Sequence, residues 1–241
     1  MTQSPEFTLD QLTGRVRTHL TDLTDPRCSL HKEVVAAFLT MRAAAAADGV
    51  DLVAFSSFRD FDRQLAIWNG KFRGERPLQD RDGQPLDAAS MTAAQKVEAI
   101  LWWSALPGAS RHHWGTDFDV LDGKALPYGY QLQVIPAEYL AGGIFERLTR
   151  WLDSHMHAFG FFRPYTTDRG GVQPEPWHLS HARVAARAQQ QFSLEGLKGV
   201  LSDAAIEGKS EVLAGLARNY SSYVVNVDAP PLAALASPTL R

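Results

Sequence analysis

Cysteine is nearly absent: Cys28 is the single one in 241 residues, so no intrachain disulfide can form and a Cys-rich metal site is excluded. Long apolar runs are missing as well. The longest, Val34 to Ala47, is broken by Thr40 and Arg42 and stopped by Asp48. It is too short to cross a bilayer, so no membrane span is expected. Charge of one sign does not accumulate either. The 24 basic residues face 27 acidic ones, for a formal net charge of −3. Without a dense Lys/Arg tract the electrostatic footprint of sequence-independent nucleic-acid binding is lacking. The N-terminal stretch has no apolar core of the kind a secretory leader needs, since Arg15, Arg17 and His19 fall where it would stand. Together with the lone cysteine, this leads to the expectation of a cytoplasmic protein.

The bulk composition is that of a soluble globular chain, 45% hydrophobic and 21% charged. The length suffices for a substantial core, as one domain or one domain with an appendage. Leu9, Leu12, Val16, Leu20 and Leu23 fall at helical spacing and predict a helix over 8–24, ended by Asp25-Pro26. A second helix is expected over 30–47, closed by Gly49. Asp51 to Ser56 reads as a strand that delivers Ser56-Ser57-Phe58-Arg59 to a helix over 60–72. A loop fills 73–90, and the Thr92-to-Gln95 capping box starts a helix over 93–104. A helix over 144–158, a strand from Gly160 and a loop over 164–174 follow. Beyond Ala182 the pattern turns helical, over 183–191, 193–204 and 209–218. Tyr223 to Val227 could add an edge strand or dock on the body, and 229–241 reads as a frayed end. The expected division is 1–185 as the main domain and 186–241 as a helical extension packed on it.

Chemistry concentrates in Ser110-Arg111-His112-His113-Trp114-Gly115-Thr116-Asp117-Phe118-Asp119. From Thr116 the residues alternate, with Thr116, Phe118 and Val120 on one strand face and Asp117 and Asp119 on the other. Gly115 stands where the chain must bend to enter that strand, so His112 can fold back toward Asp119. An imidazole and a carboxylate so placed suit Zn²⁺, although a loop histidine and a solvated aspartate fit the same letters. The second stretch, Glu175-Pro176-Trp177-His178, adds His178 as a third ligand. Three protein ligands leave a fourth tetrahedral position for water, the arrangement of a catalytic rather than structural zinc site. Glu175 is placed to accept a proton there, with Pro176 bending the chain so that residues three apart converge. His113 and His181 are surplus imidazoles beside the ligands. Arg59 sits at a strand-to-helix junction, a common place for site residues, although an arginine there is more often a surface ion pair.

These residues resemble the zinc D-alanyl-D-alanine carboxypeptidases and dipeptidases of the VanY/VanX type. That family carries Ser-x-His-x-x-Gly-x-Ala-x-Asp, then Glu-x-x-His, with Ser-x-x-Arg upstream. Here Ser110, His112, Gly115 and Asp119 are in register, Glu175 to His178 follows, and Ser56 to Arg59 precedes with Gln64 after it. The resemblance spans roughly residues 50–185. It implies an α+β fold, a small central antiparallel sheet with flanking helices of the D-Ala-D-Ala carboxypeptidase/hedgehog-like kind. It further implies one zinc per chain on His112, Asp119 and His178, Glu175 as general base and acid, and Arg59 as the cation steadying the oxyanion. Ser110, Gln64 and Asp117 are the candidate substrate contacts. Asp117 departs from the family's alanine; hydrogen-bonding a ligand or the substrate amine is favoured over a simply solvated carboxylate.

The implied reaction is hydrolysis of the terminal D-amino acid, D-alanine foremost, from a peptidoglycan-type peptide or D-Ala-D-Ala. Arg163 and Arg169, just upstream of Glu175, are candidates for binding the free terminal carboxylate. Two rivals stand beside this reading, an endopeptidase of the same fold and a zinc-stabilised binding module without catalysis. The presence of both Glu175 and Arg59 counts against the latter. No oligomeric state is read from the sequence.

Overall fold

The structure, a computed structural model, describes residues 6–236. Its first helix, α1 (Leu9–Leu12), is capped by Thr8 and Gln11 acting reciprocally and is far shorter than the helix expected over 8–24. The chain turns at Gly14, whose φ of +74° is open to glycine, and then forms a hairpin of β1 (Leu20–Thr24) and β2 (Arg27–His31). The leucine spacing fits a helix, but cross-strand pairing overrides it: Leu20 sits opposite His31 and Leu23 opposite Cys28. For the same reason the second helix, α2 (Val35–Ala47), begins later than residue 30.

β3 (Leu52–Ser56) and α3 (Phe61–Phe72) form as the pattern predicts. The expected loop contains a two-residue hairpin, β4 (Leu78–Gln79) with β5 (Pro85–Leu86). α4 (Ala93–Trp103) carries the full Thr92/Gln95 capping box. A single 3₁₀ turn, Arg111–Trp114, leads into β6 (Asp117–Asp122). Then come α5 (Pro136–Tyr139), α6 (Glu146–His155), β7 (Phe161–Phe162) and β8 (His178–His181). The helical end comprises α7 (Ala182–Gln191), α8 (Leu194–Asp203), α9 (Lys209–Ala214) and α10 (Leu216–Asn219), with a last turn α11 (Leu232–Leu235).

Four strands make the central sheet in the order β3-β6-β8-β7, every neighbouring pair antiparallel. This mixed architecture, a small antiparallel sheet flanked by helices, is the expected fold class. β6 is buried along its whole length. Phe118 on one of its faces packs edge-on against Phe38 of α2 and Phe161 of β7, with ring centroids 5.1 and 5.4 Å apart. An aromatic cluster of this kind fixes the register, because a one-residue slip would exchange the apolar face for the acidic one.

The helical end shares the same core. Leu197, Leu201, Val212 and Leu216 belong to one cluster with the sheet residues, and Trp68 of α3 donates to the Glu207 carbonyl at 3.1 Å. Tyr223 to Val227 makes no edge strand. Residues 220–224 form a π-helical turn with Val224 buried, so the segment docks. Of the end expected to fray, α11 packs Ala234 against Phe162 and Ala182, and residues 237–241 lie outside the described part. Among the described residues, no helix is long and apolar enough to cross a membrane.

Candidate metal centre and active site

Strand pairing assembles the centre. Asp119 on β6 is directly opposite His178 on β8, and a register shift in β3 brings Ser56 opposite Asp119. His112 arrives on the 3₁₀ turn, which ends at Gly115 with φ +67°. A Cβ on Gly115 would lie 2.4 Å from Leu20 Cδ2 and 2.8 Å from the His31 amide nitrogen, so both conformation and space demand glycine. His112, Asp119 and His178 each offer one ligand atom within 4.8 Å of the others, and all three residues are buried.

Hydrogen bonds at the back of each imidazole decide which nitrogen faces the centre. His112 Nδ1 donates to the Ser57 carbonyl at 2.9 Å, which leaves the Nε2 lone pair 3.4 Å from Asp119 Oδ2. His178 Nε2 donates to Asp117 Oδ1 at 3.1 Å, which turns Nδ1 inward, 3.2 Å from Asp119 Oδ1 and 3.2 Å from Glu175 Oε2. Asp119 Oδ1 is buried without a hydrogen-bond donor. Two ring nitrogens and a carboxylate converging on one point fit a cation, and that donor set fits zinc. Burial alone would lower the His178 pKa, but the carboxylates of Asp117, Asp119 and Glu175 outweigh it and raise it well above the ordinary value. Burial would likewise raise Asp119, yet His112 and His178 hold it far below the carboxylate range. The site is thus an anionic cradle that takes a positive charge, proton or metal.

Glu175 reaches His178 because the chain turns tightly between them, with the His178 amide donating to the Glu175 carbonyl at 3.2 Å. The turn is held by Trp177, whose carbonyl accepts from the Val120 amide at 3.0 Å and whose ring packs 5.5 Å from Tyr139. Arg59 donates through Nη1 to Gln64 Oε1 at 2.9 Å and through Nη2 to Ser56 Oγ at 3.3 Å. Its guanidinium is partly desolvated and faces the charges of Asp119 and Glu175.

Of the three expected substrate contacts, two are engaged elsewhere. Gln64 is fully buried, accepting from Arg59 and donating to the Ala105 carbonyl at 2.8 Å, so it positions Arg59. Asp117 is also fully buried, and its carboxylate meets Arg111 Nε at 2.7 Å, Thr116 Oγ1 at 2.5 Å and His178. It thus fixes the orientation of the His178 ring. Ser110 is the cap of the 3₁₀ turn, 2% exposed, and its carbonyl accepts from the His113 amide.

The surplus histidines lie outside the cluster of converging ligand atoms. His113 is fully buried, donates from Nδ1 to the Arg59 carbonyl at 2.5 Å and accepts at Nε2 from the Gly108 amide at 3.1 Å. Burial keeps it neutral, pushed down to about 3. His181 packs edge-on against Phe161, and burial lowers it to about 4. Arg163 and Arg169 do not reach the centre. Arg163 binds the Pro176 carbonyl at 2.8 Å and Asp153, whereas Arg169 binds Asn226 and Asp228 at 3.0 and 3.2 Å.

Three residues near the centre escaped the sequence reading. Arg111 is 5% exposed and bonds Asp117, Ser180 and Gln189 while lying over the Trp114 ring. A carboxylate at 117 inside an apolar strand was its signal, because a buried anion needs a cation. Tyr165 packs edge-on to the His178 ring at 5.2 Å, its hydroxyl pushed up to about 12 by burial. Lys71 lies two turns along α3 from Gln64, on the same face, and donates to Ser104 Oγ at 2.8 Å.

With this geometry in hand, comparison with known proteins is direct. The family described as VanY, D-alanyl-D-alanine carboxypeptidase, matches residues 27–184. An uncharacterized protein of Haemophilus influenzae is 38% identical over 122 residues, 50% of this chain and 93% of that protein. A D-alanyl-D-alanine carboxypeptidase of Enterococcus faecalis is 28% identical over 146 residues, 59% of this chain and 44% of that protein. The solved structure of VanYB in complex with D-alanine-D-alanine superposes with a TM-score of 0.50 at 24% identity, covering 83% of this chain and 91% of that one. This last likeness speaks for the fold.

Proposed function

Because the chain belongs to the VanY family of D-alanyl-D-alanine carboxypeptidases, we propose that it is a zinc-dependent carboxypeptidase that releases the terminal D-amino acid, D-alanine foremost, from peptidoglycan-type peptides. One observation carries the metal assignment: His112 Nε2 and His178 Nδ1 both face the Asp119 carboxylate, and the three residues bring one ligand atom each within 4.8 Å of the others. The substrate class rests on the family and on the D-alanine-D-alanine bound by a relative of the same fold.

When bound by His112, Asp119 and His178, zinc polarises the scissile carbonyl and lowers the pKa of water. The remaining work falls to the chain's own groups. Glu175, 3.2 Å from His178 Nδ1, takes a proton from water and returns it to the departing amine nitrogen. Arg59, held by Gln64 and Ser56, steadies the negative charge that develops on the carbonyl oxygen, and it does so in the transition state. Asp117 keeps His178 in the tautomer that offers Nδ1.

The test pairs two substitutions with metal analysis. His178→Ala should lose zinc and activity together, whereas Glu175→Ala should keep one zinc per chain and lose turnover of peptides ending in D-Ala-D-Ala. Full zinc occupancy in His178→Ala would refute the ligand set. Equal cleavage of terminal and internal bonds would favour an endopeptidase of this fold, and zinc binding without any cleavage would favour a binding module.

A further inference from the structure

The protein carries a net charge of −3, yet one cavity beside the His112, Asp119 and His178 cluster is strongly positive. It holds about 580 Å³ between the β1–β2 hairpin, the end of β3 and the start of α3, a size typical of ligand sites. Four arginines line it, Arg17, Arg27, Arg59 and Arg63, against a single acid, Asp22. Asp22 is already engaged by Arg17 Nη2 at 2.5 Å. Arg27 and Arg63 are exposed and have no hydrogen-bond or ion-pair partner among the described residues. Like charges gathered around one groove repel one another, and a bound anion relieves that repulsion.

Contacts tie this groove to the active site. Ser56 and Ser57 line it, and the Ser57 carbonyl accepts from His112 Nδ1 at 2.9 Å. Ser56 stands opposite Asp119 in the sheet, and its hydroxyl accepts from Arg59 Nη2 at 3.3 Å. The hairpin wall is fastened to the same stretch. The Phe58 amide donates to the Ser29 carbonyl at 3.2 Å, and the Ser29 amide donates to Ser57 Oγ at 3.0 Å. Arg59 thus belongs both to the candidate active site and to the groove wall. With Arg59 assigned to the oxyanion and Arg17 paired with Asp22, Arg27 and Arg63 remain for a ligand. A neutral dipeptide brings one carboxylate, at its end, whereas two unpaired guanidiniums match a peptide with acidic side chains of its own. We propose that this groove binds the acidic part of a peptide substrate, with Arg27 and Arg63 pairing with side-chain carboxylates outside the scissile bond. The inference rests on the peptidase reading of the adjacent centre and deepens it by naming the substrate class, an acidic peptide.

The experiment uses two peptides that both end in D-Ala-D-Ala and differ only upstream, where one carries two glutamates and the other two glutamines. Binding is read by calorimetry on the zinc-loaded Glu175→Ala protein, which should bind without turnover, and kcat/KM on the zinc-loaded wild type. The glutamate peptide should be favoured about 3- to 30-fold by both measures, since each exposed ion pair contributes up to about fivefold. The preference should shrink as salt is raised. In Arg27→Gln/Arg63→Gln it should fall toward one, with the unfolding midpoint unchanged because both side chains are exposed. Arg27→Lys/Arg63→Lys, which keeps the charge, should retain part of it. Equal losses for both peptides in the glutamine variant would overturn the proposal, and so would a wild type indifferent to glutamate. A preference that disappears on amidating the C-terminus and ignores the upstream residues would overturn it as well, and would assign the two arginines to the terminal carboxylate. Cleavage without discrimination sinks the groove and leaves the peptidase reading intact. Arginine-dependent binding of the glutamate peptide with no cleavage by the wild type does the reverse.

Discussion

Arg111→Met should be one of the most destabilising single changes in the protein, and the addition of Asp117→Ala should rescue much of the loss. Asp117 is fully buried and Arg111 is 5% exposed, with Nε and Oδ1 2.7 Å apart. Burial alone would raise the Asp117 pKa; Arg111, then His178, reverse that and hold it below the carboxylate range. Removing the guanidinium strands a buried anion, which costs about 3–5 kcal/mol. Arg111 also bonds Ser180 and Gln189, and these neutral contacts add roughly 1 kcal/mol each. Their loss persists in the double variant, but the stranded anion does not. The cycle should therefore show a coupling of about 2 kcal/mol or more between the two sites. Urea unfolding of metal-stripped protein near pH 7 reads it as a shift in midpoint at constant slope. Additive single effects would refute the argument, because they would mean that the two charges are solvated independently. Zinc affinity supplies a second reading. Asp117→Ala removes the acceptor that orients His178 and should weaken zinc by about 10–100-fold.

Arg59→Ala should lower kcat about 10²–10³-fold with little change in KM, measured on the zinc-loaded enzyme; an effect confined to KM would make Arg59 a ground-state contact. Acid should destabilise the fold between about pH 6.5 and 4, because burial lowers His31 and His181 from 6.5 to about 4. In that window the unfolded chain binds protons that the native state refuses, so stability falls as pH falls, by at most about 1.4 kcal/mol per pH unit for each histidine. His31→Gln, which can still accept from the Glu33 amide as His31 Nδ1 does at 3.2 Å, should flatten the slope. An unchanged slope would refute the assignment to His31.

The convergence of His112, Asp119 and His178 was legible because its geometry is local in sequence. Strand alternation puts Asp117 and Asp119 on one face, Gly115 bends the chain before them, and Pro176 with Trp177 sets the Glu175-to-His178 turn. The Thr92 capping box and the Asp51-to-Ser56 strand were readable for the same reason. What stayed hidden depends on partners far along the chain. The β1–β2 hairpin carries leucines at helical spacing, and only pairing and the packing of Gly14 and Gly115 against other segments decide for strands. Lys71 looks like any solvated helix lysine until Ser104, 33 residues on, accepts its hydrogen bond. Arg163 and Arg169 stand beside the Glu175 motif in sequence, yet Asp153 and Asp228 draw them away.

The adjacent histidines 112 and 113 show how a protein can place two imidazoles side by side and leave only one of them free to face the Asp119 carboxylate. His112 uses one nitrogen on the Ser57 carbonyl and leaves the other bare. His113 has neither to offer: the Arg59 carbonyl takes its proton and the Gly108 amide occupies its lone pair. A ring saturated in this way cannot compete for zinc, and with burial holding its pKa near 3 it stays neutral where the enzyme works. It also ties the backbone of Arg59 to the loop after α4, and that loop supplies the Ala105 carbonyl holding Gln64. The guanidinium and its glutamine thus hang from one joint whose central ring stays neutral, so a change in proton concentration does not move the arm that carries Arg59.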